Sequence, residues 1–133
     1  MHLPFQVGIS PTLKIRGIIA TETIKPGQII EKCPILIYDN SNRKHVKHTV
    51  IEKYYFIWTK TKDAIILGYG SLFNHSFQPN AKFIYDYRNK KVVIKAIKYI
   101  NPGEEITFNY NMDPNCLEPL DPDHLDFNQH EYI

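Results

Sequence analysis

The apolar residues of this chain come in short clusters rich in Val, Ile, Phe and Tyr, and most clusters are bounded by Gly, Pro or Asn. Such side chains favour extended backbone, whereas a helix needs a longer segment without Gly or Pro. The pattern therefore predicts a mainly β domain. The predicted strands are Phe5–Ile9, Gly17–Ala20, Gln28–Cys33, Ile35–Tyr38, Ala64–Leu67, Phe83–Tyr87, Val92–Ile97 and Ile106–Phe108.

One segment departs from this pattern, because Lys44–Thr59 contains neither Pro nor Gly and is long enough for a helix. Its apolar residues recur at intervals that place them on one helical face. We expect a single helix here, packed through that face. The face would carry Val46, Val50, Ile51, Tyr54 and Ile57.

Three short segments read as turns. Arg88–Lys91 joins two predicted strands and is typical of a hairpin, with Asn89 adopting the left-handed conformation. Pro26-Gly27 and Pro102-Gly103 each follow an Ala at the same spacing, and each predicts a tight reversal with Gly at positive φ. The shared spacing is explained equally well by the frequency of such turns and by common ancestry of the two segments.

Size, charge and cysteine content limit the class of protein. A chain of 133 residues can form one hydrophobic core without disulfides, and two cysteines are too few for a disulfide framework. The N-terminus lacks a signal-peptide pattern and no apolar run is long enough to cross a bilayer. We therefore expect a soluble, intracellular protein without a membrane partner. A net charge of +2 also argues against direct nucleic-acid binding.

No metal site is predicted. His45 and His48 lie three residues apart, as metal ligands can, but no Cys or carboxylate pair completes a ligand set. A solvated basic helix face explains these histidines better.

Three polar residues stand in an otherwise apolar region. Asn74, His75 and Asn80 follow a Gly-Tyr-Gly segment and flank Pro79, so their backbone is neither a plain helix nor a plain strand. Their side chains need hydrogen-bond partners, which either a loop cap or a functional site would provide. Tyr110 follows Asn80 by thirty residues and, taken alone, is best explained as a packed strand tyrosine.

Taken together, two motifs of this region resemble a known family. Asn74-His75-Ser76 with Pro79-Asn80, and the segment Gly103–Tyr110 with the sequence Gly-Glu-Glu-Ile-Thr-Phe-Asn-Tyr, are similar to the two signatures of the SET domain. This is the fold of protein-lysine methyltransferases that use S-adenosylmethionine. In its small size and its lack of cysteine-rich flanks, the chain is most similar to the compact SET proteins of large DNA viruses and some bacteria.

The resemblance implies a fold as well as an activity. It implies a β-clip fold of small sheets with one short helix, and a pseudoknot in which the segment ending at Tyr110 threads under a preceding loop. It divides the chain into a SET domain, residues 1–112, and a C-terminal tail, residues 113–133, that closes the site.

The resemblance also implies roles for individual residues. Tyr110 would be catalytic, with its hydroxyl orienting the reacting amine and methyl group. The residues implied at S-adenosylmethionine are Arg16, Gly17, Asn74, His75 and Tyr110. The family's opening Gly-x-Gly turn keeps only its second glycine, because Ile15 occupies the place of the first.

A substrate channel is implied on the other side of the catalytic tyrosine. Tyr54 resembles the family's channel tyrosine, while Phe83 and Phe108 stand where side chains set how many methyl groups fit. All three are also explained as core aromatics, and for Phe83 that reading is at least as good. Because neither phenylalanine carries a hydroxyl, we expect di- or trimethylation to be allowed.

The tail has no counterpart to the zinc-binding segment of many family members, since Cys116 stands alone there. Closure of the channel would then depend on the tail itself or on a second subunit in a homodimer. The tail residues suited to this are Leu117, Phe127 and Tyr132.

The implied partner is a protein carrying a lysine, and histone tails are the family's usual target. Acidic tail residues would attract a basic peptide; they are Glu118, Asp121, Asp123 and Asp126. One alternative is a SET-fold domain that binds a peptide with little or no turnover. Another is a β-barrel that binds single-stranded nucleic acid through lysines and tyrosines, but it leaves the Asn-His-Ser motif unexplained. Its lysines would be Lys90, Lys91, Lys95 and Lys98.

Overall fold

The computed structural model describes residues 2–120 of the chain. In chain order the strands are β1 Phe5–Ile9, β2 Arg16–Ala20, β3 Ile29–Asp39, β4 Tyr55–Ile57, β5 Lys62–Ile66, β6 Asn74–His75, β7 Ala81–Asp86, β8 Lys91–Ala96 and β9 Thr107–Phe108. The helical elements are the one-turn α-helix α1 Arg43–Val46 and the 3-10 helices Asn40–Asn42, Val50–Lys53 and Gly70–Leu72. The prediction of a mainly β fold with small sheets and one short helix is confirmed.

The strands form three small sheets. A five-stranded antiparallel sheet has the order β4-β5-β3-β8-β7, and β1 pairs with β2 in a separate antiparallel ribbon. The third sheet consists of β6 and β9, which run parallel and align Asn74 with Thr107 and His75 with Phe108. This parallel pair places the end of the Gly103–Tyr110 segment directly beside the Asn-His-Ser motif.

The two strands predicted at Gln28–Cys33 and Ile35–Tyr38 are one continuous strand, β3. Residues 29–34 of this strand pair with β8, and residues 35–39 pair with β5. Pro34, which has no N–H to donate, lies where β3 changes partner, and its carbonyl accepts a hydrogen bond of 2.9 Å from the backbone N–H of Leu67. The proline therefore marks a change of pairing and not the end of a strand.

The single helix predicted over Lys44–Thr59 is wrong. The segment forms α1, a 3-10 helix and strand β4. Thr49 separates the two helical turns, because its backbone is extended (φ −127°, ψ 169°) and its hydroxyl accepts a hydrogen bond from the N–H of Ile51. A threonine side chain that bonds to nearby backbone competes with helix continuation in this way. The aromatic and β-branched residues that follow pair with β5 instead.

The hairpin predicted around Arg88–Lys91 is present between β7 and β8, but its left-handed residue differs from the prediction. Lys90 has a positive φ of 54°, whereas Asn89 does not. Asn89 instead bonds to the carboxylate of Asp86 through its backbone N–H at 3.0 Å and its side-chain amide at 2.9 Å. These two bonds hold Asn89 inside the turn, so the positive φ moves one residue along the chain.

The two Pro-Gly segments that echo each other in sequence bond to each other in space. Ile24 and Ile100 exchange two backbone hydrogen bonds of 2.8 and 2.9 Å. The N–H of Gly103 bonds to the carbonyl of Ala20, and the N–H of Gly27 bonds to the carbonyl of Ala96, each at 2.8 Å. Both glycines have positive φ, as predicted. The echo thus corresponds to a local two-fold arrangement of the backbone.

One cluster of buried apolar side chains connects the three sheets. Ile18 of β2, Ile94 of β8 and Phe108 of β9 are all completely buried within it. The cluster continues into the aromatic residues beside the Asn-His-Ser motif, so the candidate site lies directly on the core. Among residues 2–120, no helix is long and apolar enough to cross a membrane.

Candidate active site

Tyr110 is attached to the Asn-His-Ser motif at both ends. Its backbone N–H donates a 2.9 Å hydrogen bond to Nδ1 of His75, and its hydroxyl donates a 2.7 Å hydrogen bond to the carbonyl of Phe73. The backbone N–H of Ser76 bonds to the carbonyl of Phe108 at 3.1 Å, which extends the parallel pairing. The two motifs recognised in the sequence are therefore brought together at one place.

The two ionisable groups at this junction are neutral at physiological pH. Burial raises the pKa of Tyr110 well above its ordinary value, with smaller contributions from Tyr54 and Glu105. Burial also lowers the pKa of His75 to about 4. Since Nδ1 of His75 accepts from Tyr110, the ring proton is on Nε2, which is buried and has no hydrogen-bond partner among the described residues.

Asn80 holds the segment that leads into strand β9 and on to Tyr110. Its side-chain Nδ2 donates to the carbonyl of Glu105 at 2.8 Å, and its Oδ1 accepts from the N–H of Thr107 at 2.9 Å. An amide side chain that bonds to a carbonyl and an N–H two residues apart imitates a neighbouring strand. Asn80 is therefore a clamp on the backbone of residues 105–107.

A buried polar network lies next to this clamp. Nδ2 of Asn74 donates to the carbonyl of Arg16 at 2.9 Å and to Oε2 of Glu105 at 2.7 Å, while Oε1 of Glu105 accepts from the Ser10 hydroxyl at 2.5 Å. The sequence-based assignment gave no role to Ser10 or Glu105. Glu105 lies inside a recognised motif, which was a usable signal, whereas nothing near Ser10 in the sequence connects it with a residue 95 positions away.

Gly17 faces this network from strand β2, where it pairs with Gly8. A Cβ atom at Gly17 would overlap the carboxylate of Glu105 and would lie 2.8 Å from Nδ2 of Asn74. The glycine thus leaves room for the amide–carboxylate contact. The turn before it places Lys14, and not Ile15, at a positive φ of 61°.

Arg16 and Tyr54 lie close to the network, at a pair of hollows. Nη2 of Arg16 is 3.2 Å from the hydroxyl of Tyr54. A small cavity of ≈ 60 Å³ lies at Tyr110, and a groove of ≈ 360 Å³ adjoins it through two shared residues, Tyr54 and Ser71. The cavity is lined by Lys53, Tyr54, Tyr55, Phe56, Ser71, Phe73 and Tyr110. The groove is lined by Arg16, Val50, Ile51, Tyr54, Ile65, Ile66, Ser71 and Leu72.

Phe83 and Phe108 lie behind the cavity and do not line it. The ring of Phe108 is 5.4 Å from that of Phe73 and 5.7 Å from that of Tyr110, while Phe83 contacts Phe108 at 4.8 Å and Phe56 at 5.5 Å. Both residues are almost completely buried. They support the residues that form the wall of the cavity.

In the described part of the chain, no three His, Cys, Asp or Glu side chains are grouped as metal ligands would be. The beginning of the tail bonds back to the residue before Tyr110, because Nδ2 of Asn109 donates to the carbonyl of Cys116 at 2.6 Å. Leu117 is exposed, at 76%. The other tail residues named in the sequence analysis, Phe127, Tyr132, Asp121, Asp123 and Asp126, lie outside the described residues.

Comparisons with known proteins agree with this site. A family model described as the SET domain matches residues 15–111. The chain is 33% identical over 98 residues to the Schizosaccharomyces pombe histone-lysine N-methyltransferase specific for H3 lysine-37, covering 73% of the chain and 67% of that protein. It is 34% identical over 116 residues to the Saccharomyces cerevisiae H3 lysine-36-specific enzyme, covering 68% of the chain but only 14% of that protein.

A solved structure is also similar. A Plasmodium falciparum protein described provisionally as a histone methyltransferase superposes with a TM-score of 0.68 at 30% identity, covering 83% of the chain and 95% of that structure. These two relatives are histone-lysine methyltransferases, which confirms the prediction of a protein-lysine methyltransferase. Because the matching family model covers more than half of its length, the chain belongs to the SET domain family.

Proposed function

We propose that the chain transfers a methyl group from S-adenosylmethionine to the side-chain amine of a lysine on a protein. The observation that carries this proposal is the attachment of Tyr110 to the Asn-His-Ser motif through His75 and Phe73, at a cavity that opens beside Tyr54. The hydroxyl of Tyr110 is thereby fixed between the polar Asn-His-Ser motif and the aromatic residues that line the cavity.

The residues present fit S-adenosylmethionine. The groove beside the cavity has a volume within the usual range for small-molecule sites and carries both apolar residues and the cation Arg16. His75 does not line this groove: it lies at a separate hollow of ≈ 450 Å³ together with Asn80 and Glu105, and its Nε2 is a buried N–H donor without a partner among the described residues. Arg16 would hold the cofactor from the groove and Tyr110 from the cavity, with Gly17 and Asn74 directly beside Arg16 and His75 bonded to Tyr110. When bound, it supplies a methyl group on a sulfonium, and that methyl group is the electrophile.

The chemistry required of the protein is positioning. The lone pair of a neutral lysine amine forms the new C–N bond as the C–S bond breaks, and a proton leaves the amine to solvent. A lysine with its ordinary pKa near ~10.4 is protonated, so a cavity walled by Tyr54, Phe56 and Phe73 favours the neutral form. Tyr110 keeps its proton because burial raises its pKa, so its hydroxyl orients the reacting groups and does not act as a base.

The product state is proposed from the aromatic residues behind the cavity. Phe108 and Phe83 support the wall of the cavity from behind and add no hydroxyl that could hold a water molecule there, so we propose that di- or trimethylation is allowed. Mass spectrometry of the product with excess cofactor tests this. A product that stays monomethylated would contradict it.

The substrate class is proposed from the relatives, whose names specify lysines of histone H3. A histone tail is basic, and the acidic residues from Glu118 onward offer opposite charge near the end of the domain. We also propose that residues 113–133 close the site, alone or together with a second copy of the chain. The bond from Asn109, the residue before Tyr110, to the carbonyl of Cys116 supports this proposal.

The test is incubation with labelled S-adenosylmethionine and a panel of histones, comparing wild type with Tyr110→Phe. Loss of one fixed hydroxyl at a reacting centre is expected to lower kcat by about 100-fold or more, with the fold retained. Tyr99→Phe is the matched control, because Tyr99 is 65% exposed and should leave the rate unchanged. Cofactor binding measured by calorimetry without any turnover would favour a peptide-binding SET domain instead. Absence of cofactor binding by the wild type would overturn the proposal.

A further inference from the structure

The carboxylate of Glu105 connects two segments that are far apart in sequence. One oxygen accepts from the hydroxyl of Ser10 at 2.5 Å, and the other accepts from the side-chain amide of Asn74 at 2.7 Å. Ser10 and Asn74 are 0% and 1% exposed, so both donors depend on the protein for their partners. The side chain accepts from both at once, because each donor bonds to a different carboxylate oxygen.

This arrangement sets the orientation of the Asn74 amide. Nδ2 has two hydrogens, and they are used by the carbonyl of Arg16 at 2.9 Å and by Glu105. Oδ1 therefore points away from the carboxylate, and no donor of the described residues bonds to it. If the acceptor at Glu105 were lost, the carbonyl of Arg16 alone would hold this orientation, and one buried amide hydrogen would be left without a partner.

The same carboxylate organises the turn that precedes Arg16. Ser10 accepts the N–H of Leu13 on its hydroxyl oxygen at 3.0 Å, and its backbone bonds to Ile15 at 2.7 Å and to Lys14 at 2.9 Å. Ser10 thus holds the whole β1–β2 turn, and Glu105 holds the hydroxyl of Ser10. This turn is the one in which the family's first glycine is replaced by Ile15.

We propose that Glu105 is a positioning residue for the cofactor: it fixes the Asn74 amide and, through Ser10, the turn that presents Arg16. The inference rests on the proposed function, because it concerns residues that would hold S-adenosylmethionine. Tyr110 is held separately, by His75 and Phe73. Loss of Glu105 therefore weakens cofactor binding and raises the KM for the cofactor, while kcat at saturating cofactor is largely kept.

The experiment compares Glu105→Gln and Ser10→Ala with wild type and with Glu104→Gln. The last variant changes the neighbouring carboxylate, which is exposed and accepts from the N–H of Asn101 at 3.0 Å. Calorimetry with S-adenosylhomocysteine gives Kd, steady-state kinetics give kcat and the KM for the cofactor, and thermal unfolding without ligand gives Tm.

A glutamine at position 105 must place an N–H donor against Ser10 or Asn74. We expect its Kd to rise about tenfold or more, with kcat within about twofold of wild type and a similar but smaller effect for Ser10→Ala. Glu104→Gln should match wild type. In the double variant Glu105→Gln/Ser10→Ala, the two increases in Kd should not multiply, because both substitutions break the same hydrogen bond between Ser10 and Glu105.

Distinct outcomes separate the two proposals. If wild type binds no cofactor, the proposed function fails. If wild type binds and Glu105→Gln has a lower Tm but an unchanged Kd, the residue is only structural and the positioning role is overturned. Effects that multiply in the double variant would also overturn it. If Glu105→Gln does not fold, Ser10→Ala decides, and unfolding of both variants would count against the proposal.

Discussion

The two sides of Tyr110 are built on different physical principles. On the polar side, Asn74, Asn80 and Glu105 make directional hydrogen bonds of 2.5 to 2.9 Å with fixed partners. On the aromatic side, Phe83 and Phe108 pack ring against ring at 4.8 Å, with no polar contact to satisfy. The first side requires particular atoms at particular places, whereas the second requires volume.

This difference predicts how each side responds to mutation. A lost hydrogen bond leaves a buried partner unsatisfied, and that penalty depends on the identity of one atom. A ring replaced by another apolar side chain of similar size loses only part of its contacts. We therefore expect the polar side to be intolerant of substitution, and the aromatic side to tolerate changes that tune the size of the cavity.

The largest loss of stability is expected for Asn80→Ala. The substitution leaves the carbonyl of Glu105 and the N–H of Thr107 without the side chain that bonds to both. We expect the free energy of unfolding to fall by about 3 kcal/mol, as measured by urea denaturation. Asn89→Ala is the matched control, because Asn89 bonds to Asp86 in an exposed turn. An equal loss in both variants would mean that Asn80 is not a clamp.

Gly17→Ala should have the next largest effect. The added methyl group would displace the Glu105 carboxylate or the Asn74 amide, and overpacking of this kind costs about 2 kcal/mol. Calorimetry should also detect weaker cofactor binding, because both groups belong to the proposed positioning network. Gly103→Ala is the comparison, since its Cβ meets no atom within 4 Å and only the positive φ is strained. A Gly17→Ala protein with unchanged stability and binding would show that the network can shift freely.

Phe83→Leu tests the tolerance of the aromatic side. The ring contacts of Phe83 with Phe56 and Phe108 are lost, but a leucine keeps much of the buried volume. We expect the free energy of unfolding to fall by about 1 to 1.5 kcal/mol, with cofactor Kd within about twofold of wild type. A Kd raised as much as in Glu105→Gln would erase the distinction between the two sides.

The same contrast explains which parts of the fold could be predicted from sequence. Strands were readable because β-branched clusters act locally, and the Pro-Gly turns were readable because Gly27 and Gly103 need positive φ. The predicted strand end at Pro34 is wrong, because whether a proline interrupts a strand depends on the neighbouring strand in the folded protein. Thr49 misled because a hydroxyl bonding to nearby backbone outweighed a helical apolar pattern.

The candidate site divides in the same manner. On the polar side, Asn74 and Asn80 could be found as parts of a motif, whereas Glu105 was missed although it lies inside one. The aromatic side was not separable from the core, because a ring such as Phe83 looks the same in either role and only its position behind the cavity distinguishes them. Ser10 could not have been found, since its partner is distant in sequence and serine is common in turns.

His75 belongs to both sides, and the smallest predicted effect tests it. Its Nδ1 accepts from Tyr110, its ring packs 4.4 Å from Phe77, and burial lowers its pKa to about 4. In the unfolded chain the pKa of His75 is near ~6.5, so between pH ~4 and ~6.5 the unfolded state binds more protons than the folded state. The stability that depends on a neutral His75 is therefore full above pH ~6.5 and is lost as the pH falls toward 4. Because His75 is partly exposed, we expect this change in the free energy of unfolding to be about 1 kcal/mol. His75→Asn should flatten the unfolding profile over this range, whereas the exposed His48→Asn should not. Parallel profiles for wild type and His75→Asn would mean that the imidazole is not held neutral by burial.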